Sequence, residues 1–306
     1  NIMGMVNKII NSLIIKIISF LPIPIVKLFA KRYVAGETSD EALDAASKLN
    51  EKGYSVTLDI LGEHTKSKAE AESITSNYAR IYDKIYKLEL DCNISIKPSH
   101  IGLDVSIKTI KENLDILVAK ANETNNFLRI DMESSKSTDV TLDLFKEYYK
   151  NNSNIGTVLQ AYLYRTKHDI EHLISQFTFN FRLCKGIYKE SDNIAIQNRN
   201  DINSNYLDLL KIAFDNNIYV GIATHDTLLI QSIYKLINKM NISSDKFEFQ
   251  VLYGVPMSGW NEKHLQNGYK VRVYVPFGSD WYPYSIRRLK ENPNIAKYII
   301  KNLIRK

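Results

Sequence analysis

From residue 54 onward, short runs rich in β-branched and aromatic residues alternate with longer stretches whose apolar positions recur every three or four residues. The short runs are YSVTLDIL (54 to 61), ISIK (94 to 97), FLRIDM (127 to 132), TVLQA (157 to 161), FNFRLC (179 to 184), YVGIAT (219 to 224), FEFQVL (247 to 252) and KVRVYV (270 to 275). Each has the length and composition of a strand. Between them, DLFKEYYK (143 to 150), TLLIQSIYKLINKM (227 to 240) and SIRRLKENP (285 to 293) carry the spacing of amphipathic helices. Regular alternation of strand and helix predicts an α/β fold with a parallel sheet. Eight such units either close into a (β/α)8 TIM-type barrel or form an open doubly wound sheet. The missing GxGxxG after the first strand counts against the open sheet.

The pattern differs at the N-terminus, where IINSLIIKIISFLPIPIVKLFA (9 to 30) is strongly apolar. Asn11 and Lys16 interrupt it and Pro22 and Pro24 break its helix, so it lacks the roughly 20 apolar residues of a membrane span. It predicts a pair of short amphipathic helices packed on the globular body. Shallow contact with a bilayer, through the apolar face and Lys27, Lys31 and Arg32, is the alternative. No small-residue cleavage site marks it as a signal peptide. The chain therefore divides into N-terminal helices over 1–50 and a barrel over 51–306.

Composition narrows the partners. In 306 residues, 44% hydrophobic and 24% charged, with 12 Gly and 7 Pro, there is material for a substantial core and no bias to disorder. The two cysteines, Cys92 and Cys184, form neither a disulfide framework nor a metal knuckle, which fits a reducing cytoplasm. A formal charge of +6 suits nucleic acid, an anionic membrane face or an anionic cofactor. No Walker-type loop, zinc spacing, RNA-binding signature or dense basic run is present, so neither a metal nor nucleic acid is expected as a partner.

In a barrel, chemistry collects where strands end. Asp59 and Glu63 follow the first strand, Lys97 ends the second, Asp131 and Glu133 the third and Gln160 the fourth. Arg182, Lys185 and Tyr188 end or follow the fifth, Thr224, His225 and Asp226 the sixth, and Tyr274 lies in the eighth. Singly, each is an ordinary loop or cap residue; Asp226, for example, could cap the next helix. Together they point to a large polar ligand. In GSDWYPYSIRRLKENP (278 to 293), Tyr284, Arg287, Arg288 and Glu291 fall on one helical face. Two forked guanidinium groups beside an aromatic ring form a site for an amino-acid-sized carboxylate, unless Arg287 and Glu291 are merely a surface pair.

That face resembles the YxxRRxxE helix of the proline dehydrogenase family. LDILGE (58 to 63), SIKPSHIGLD (95 to 104), RIDMES (129 to 134), VLQAY (158 to 162), RLCKGIYKE (182 to 190), ATHD (223 to 226), EFQVLYGV (248 to 255) and YVPFG (274 to 278) look like its other strand-end segments. The likeness runs in order from about residue 33 to 293. It implies a distorted (β/α)8 barrel with an N-terminal helical extension, similar to the monofunctional bacterial enzymes. It also implies oxidation of L-proline to Δ1-pyrroline-5-carboxylate by hydride transfer to N5 of FAD, the electrons passing to a quinone or another acceptor.

By the same resemblance, Lys97, Arg287 and Arg288 hold the proline carboxylate, and Tyr274, Tyr284, Leu183 and Tyr188 pack beside the substrate. Glu63 pairs with Arg287. Asp131, Gln160 and Arg182 meet the flavin ring, Lys185, Gly186, Thr224 and His225 contact the rest of FAD, and Glu291 completes the helix motif, in contact with the cofactor or with a structural partner. Cys184, Ile187 and Pro98 depart from the family's pattern. Three rivals remain: an FAD barrel acting on hydroxyproline or another cyclic amine, a Schiff-base aldolase using Lys97 or Lys185, and, weakest, a non-catalytic binding protein.

Overall fold

All eight apolar runs form strands in the computed structural model, which describes residues 23–291. They are β1 Ser55–Ile60, β2 Cys92–Ile96, β3 Leu128–Ile130, β4 Ile155–Gln160, β5 Asn180–Cys184, β6 Tyr219–Ala223, β7 Phe247–Leu252 and β8 Val271–Phe277. Every neighbouring pair is parallel and β8 returns to β1, closing the barrel. The missing dinucleotide motif was thus a sound guide to closure.

Strand residues alternate between two environments. Leu58, Ile94, Ile130, Leu159, Phe181, Ile222 and Phe249 are buried against the surrounding helices and form the core. The opposite set faces the barrel axis, and it is charged to an unusual degree for a barrel interior, which branched apolar side chains generally fill. Lys97 Nζ lies 2.6 Å from Asp59 Oδ2, an Arg182 nitrogen 2.7 Å from Asp131 Oδ1, and Arg272 Nε 2.8 Å from Glu248 Oε1. Two glycines make room for these long side chains. A Cβ on Gly221 would lie 2.4 Å from Gln250 Nε2, and one on Gly156 would lie 2.4 Å from an Arg129 nitrogen.

At the N-terminus, α1 (Ile23–Tyr33) buries Val26, Ala30 and Tyr33, one stripe of an amphipathic helix. Pro24 lies within its first turn, where a missing N–H costs little. The stripe packs on α10 (Trp281–Glu291), with Tyr33, Val34, Leu61 and Tyr284 in one apolar cluster. Packing on the globular body therefore holds for this helix; residues 9–22 of the apolar stretch lie outside the described residues. The chain leaving α1 is tied to the barrel rim, where Ala35 N donates to Pro276 O at 3.0 Å and Gly278 N to Gly36 O at 2.9 Å. Thr38 then caps α2 (Ser39–Asn50) in a reciprocal box with Glu41. Ala42, Leu43 and Ala46 of α2 join the same core cluster as the barrel strands.

The Arg272–Glu248 pair is buried at both ends, so removing one partner strands the other charge. Glu248→Ala is expected to lower the unfolding free energy by about 3 to 5 kcal/mol, measured by urea denaturation at pH 7. Burial works against the Glu248 carboxylate, but the Arg272 guanidinium outweighs it and brings the pKa down to about 2. A depressed carboxylate contributes stability above its unfolded pKa and loses it as pH falls toward the folded one. The gap between wild type and variant should therefore be full above about pH 5 and shrink toward pH 2. A gap that ignores pH would remove the ion pair as its source.

Candidate active site

A cavity of about 880 Å³ opens at the C-terminal ends of the strands. Lys97, Glu63, Asp131, Gln160, Arg182, Lys185, Gly186 and Tyr188 line it, as do Thr224, His225, Tyr274, Tyr284, Arg287, Arg288 and Glu291. Leu183 is the correction. It follows inward-facing Arg182 on β5, so the pleat turns it outward; it is fully buried in the core cluster and does not line the cavity.

The floor is a polar cluster held from several strands. Asp131 accepts from Arg182 at 2.7 Å, from Ser95 Oγ at 2.5 Å and from Tyr274 Oη at 3.1 Å. The Arg182 guanidinium also lies 5.1 Å from the Tyr274 ring centre and donates through Nε to Gln250 Oε1 at 2.5 Å. Gln250 in turn donates to Glu248 at 2.6 Å, which fixes which end of its amide faces Arg182. The sequence reading had not singled out Gln250. Its signal was present in FEFQVL, where two polar residues sit two apart in an otherwise apolar strand, marking one face as polar. Gln160 is held on the rim, donating to Glu133 O at 2.8 Å. Glu133 reaches the turn after Lys97, accepting from Ser99 N at 2.8 Å.

A second cluster surrounds Asp226. Its Oδ2 accepts from Lys185 at 2.6 Å, from Arg199 at 2.9 Å and from Asn203 at 3.1 Å, while Oδ1 caps α8 (Thr227–Met240) through Leu228 N and Leu229 N. Asp226 is thus a cap, as expected, and also the anchor of two cations. Burial opposes its charge, yet these donors hold its carboxyl well below the ordinary range. Arg199, the first residue of α7 (Arg199–Asp215), lines the cavity but stands in no motif that would have revealed it. Gly186, with φ +109°, lies against the Tyr162 ring where a Cβ would collide. His225 accepts the Leu252 N–H on Nε2 at 2.9 Å, so its neutral ring carries a proton on Nδ1. Burial, with Arg288 nearby, lowers its pKa to about 4.

On the far side, α10 presents Arg288 as a buried group and Arg287 as an exposed one. Their guanidinium carbons lie 5.2 and 6.0 Å from the Tyr284 ring centre. Glu291 pairs with Arg288 at 2.7 Å, one helical step away from the Arg287 partner that a surface pair would need. Glu63 and Arg287 both line the cavity, but no ion pair joins them among the described residues. The Tyr284 hydroxyl is buried without a partner within the protein. Of the departures noted in the sequence, Cys184 and the exposed Ile187 line the cavity, and Pro98 opens a buried 3₁₀ turn. The two candidate Schiff-base lysines both hold carboxylates. Burial works against the Lys97 ammonium, but Asp59 and Asp131 outweigh it and raise its pKa, the reverse of what a nucleophilic amine requires.

The chain matches the family model described as proline dehydrogenase over residues 42–299. The chain belongs to the proline dehydrogenase family. It is 36% identical over 280 residues to proline dehydrogenase 2 of Bacillus subtilis (strain 168), covering 92% of each chain. It is 32% identical over 285 residues to the proline dehydrogenase of Deinococcus radiodurans, covering 90% of each. Among solved structures it resembles proline utilization A of Bdellovibrio bacteriovorus inactivated by N-propargylglycine, with a TM-score of 0.79 and 27% identity. That match spans 86% of this chain and 32% of the longer protein. Proline dehydrogenases are in general flavin-dependent. No helix among the described residues is long and apolar enough to cross a membrane.

Nitrogen-15 shifts of the histidine rings should show His225 neutral, with its proton on Nδ1, down to about pH 4. The unfolded chain takes up that proton near 6.5, so the folded state loses stability as pH falls between those values. A ring that titrates near 6.5 in the folded protein would contradict the assigned tautomer and burial.

Proposed function

We propose that this chain oxidises L-proline to Δ1-pyrroline-5-carboxylate, the first step of proline catabolism, using FAD held in the strand-end cavity. The observation that carries this is one cavity with two cationic ends joined by a hydrogen-bonded floor. Lys185 and Arg199, gathered on Asp226, offer donors to the cofactor's phosphates. Thr224, Gly186 and neutral His225 line the stretch between, and Asp131, Gln160 and Arg182 would meet the flavin ring. The residues fit such a group, because they place cations at one end and a polar platform with an ordered guanidinium at the other. When bound, the flavin supplies a two-electron acceptor for the hydride leaving the ring carbon beside proline's nitrogen.

The protein's part is orientation and charge. Arg287, Arg288 and Lys97 surround the place where the proline carboxylate would sit, with Glu63 at its edge and Glu291 steadying Arg288. The Tyr284, Tyr274 and Tyr188 rings supply apolar cover for the substrate ring. Cations beside the carboxylate also disfavour the protonated ammonium, which helps the amine lose the proton that oxidation requires. Lys97 is held by Asp59, so it contributes charge and a fixed position. The electrons leave to a quinone or another acceptor. Exposed Leu28, with Lys27 and Lys31 on the same helix, supports peripheral contact with the inner face of the cell membrane. The two free cysteines accord with a cytoplasmic setting.

Anaerobic addition of L-proline to the flavin-loaded protein should bleach the flavin band; a band unmoved by proline would sink the reading. Arg287→Met is expected to lower kcat/KM for proline at least about tenfold, since a charge-assisted hydrogen bond contributes about 1.5 to 3 kcal/mol. Because Arg287 is exposed, the unfolding free energy should stay within about 0.5 kcal/mol. Equal turnover in both proteins would remove the clamp.

Tyr274 carries the specificity prediction. Wild type should prefer L-proline over trans-4-hydroxy-L-proline by roughly tenfold to a hundredfold, because a further hydroxyl overpacks the ring contact. Tyr274→Ser should narrow that ratio, with poorer proline use from the lost ring. An unchanged ratio of kcat/KM values would place Tyr274 outside the specificity contact.

A further inference from the structure

The inward faces of the strands and of the residues that end them hold four cations, Lys97, Arg129, Arg182 and Arg272. They hold three carboxylates, Asp59, Asp131 and Glu248. Lys97, Arg182 and Arg272 each pair with one of the three at 2.6 to 2.8 Å. Arg129 is left over. It is 2% exposed, and no carboxylate pairs with it among the described residues.

The groups that hydrogen-bond Arg129 are neutral, and the Glu248 and Asp131 carboxylates, each paired with another cation, act on it only through space. One terminal nitrogen donates to Thr157 O at 2.9 Å and Asn180 O at 3.2 Å, the other to Asn180 Oδ1 at 2.6 Å. Its Nε is buried with no partner. The Phe127 ring centre lies 4.8 Å from the guanidinium carbon, and Gly156 on the adjoining strand leaves the space it occupies. Carbonyl dipoles and a ring face can hold a guanidinium in place, but they do not cancel its charge. Burial, and then the neighbouring Arg182, lower its pKa to about 9, so it remains a cation at neutral pH.

We propose that Arg129 is a buried cation with no carboxylate paired to it among the described residues, retained to raise the reduction potential of the cofactor bound above it, acting through space from the layer beneath Asp131 and Arg182. Proline gives up two electrons and the cofactor gains them, so negative charge grows at the mouth of the barrel as the reaction proceeds. A fixed positive charge in a desolvated interior favours the reduced side of that transfer and needs no reorganisation. Its hydrogen bonds tie β3 to Thr157 on β4 and Asn180 on β5, a role that calls for donors but not for a net charge. This role rests on the flavin reading above.

The test exploits Asn180, whose side chain already touches Arg129 and is assigned no part in binding or catalysis. Asn180→Asp is nearly isosteric and gives Arg129 the missing carboxylate. It should raise the melting temperature by relieving an unpaired charge, and lower the cofactor's potential by removing the net cation. Dye-equilibration of the holoenzyme is expected to show an equilibrium constant for cofactor reduction about tenfold smaller, or about 30 mV for a two-electron couple. That is the scale of one unit charge acting across a neighbouring side-chain layer at an effective dielectric near 20. Arg129→Met should move the potential the same way, and Arg129→Lys should hold it near wild type.

Stability and potential moving in opposite directions in Asn180→Asp is a signature that a purely structural arginine would not give. A holoenzyme of Asn180→Asp with unaltered potential overturns the proposal while leaving the flavin reading intact. If Arg129→Met fails to fold, Asn180→Asp decides alone. A wild-type protein that takes up no flavin overturns both.

Discussion

The desolvation of charge inside the barrel governs how this protein is built. Moving an ion from water into a packed interior costs several kcal/mol even after relaxation, and only a well-made partner returns it. The three axial ion pairs meet that demand. They also solve a second problem, because a side chain bound at both ends of its hydrogen-bonding group has one orientation. Arg182 is fixed by Asp131 on one side and Gln250 on the other, and Gln250 is fixed by Glu248, which Arg272 anchors. The floor of the cavity is thus oriented by contacts that run down the axis to the opposite end of the barrel.

Asp226 shows the same economy at the other cationic end. One oxygen closes the first turn of α8, and the other draws Lys185 and Arg199 to a common point. Helix position and cation position are therefore coupled: a shift in one moves the other. His225, beside it, is kept neutral by burial and by the Leu252 N–H, so its proton is available as a donor without adding charge to an already electropositive wall.

The architecture was legible because its pattern is dense: eight β-branched or aromatic runs, each followed by helical spacing, appear as eight parallel strands with ends shifted by a residue or two. The site was legible at strand ends, where the fold concentrates polar residues. Leu183 was misplaced because likeness to a motif carries no information about strand phase, and the pleat sends alternate residues to opposite faces. The alternative of an Arg287–Glu291 surface pair could not be set aside from the sequence, because positions three and four residues away are both neighbours on a helix, and only the structure pairs Glu291 with buried Arg288. Arg199 could not be found from one sequence. It reaches the cavity from a helix start, through a carboxylate 27 residues away.

The seam between α1 and the last strand has a consequence for biosynthesis. Arg32 Nε donates to Gly254 O across 222 residues of chain, and Ala35 and Gly36 bond to the β8 rim that leads into the arginine helix. A ribosome emits α1 well before α10, so the segment that backs the arginine pair must wait through more than 200 residues of further synthesis. Until then Val26, Ala30 and Tyr33 have no helix to cover them, and the emerging polypeptide carries an adhesive stripe that waits for α10. Closing so long a loop late also makes this seam a natural slow step in folding. The arginine helix gains its backing only when α1 and α10 meet.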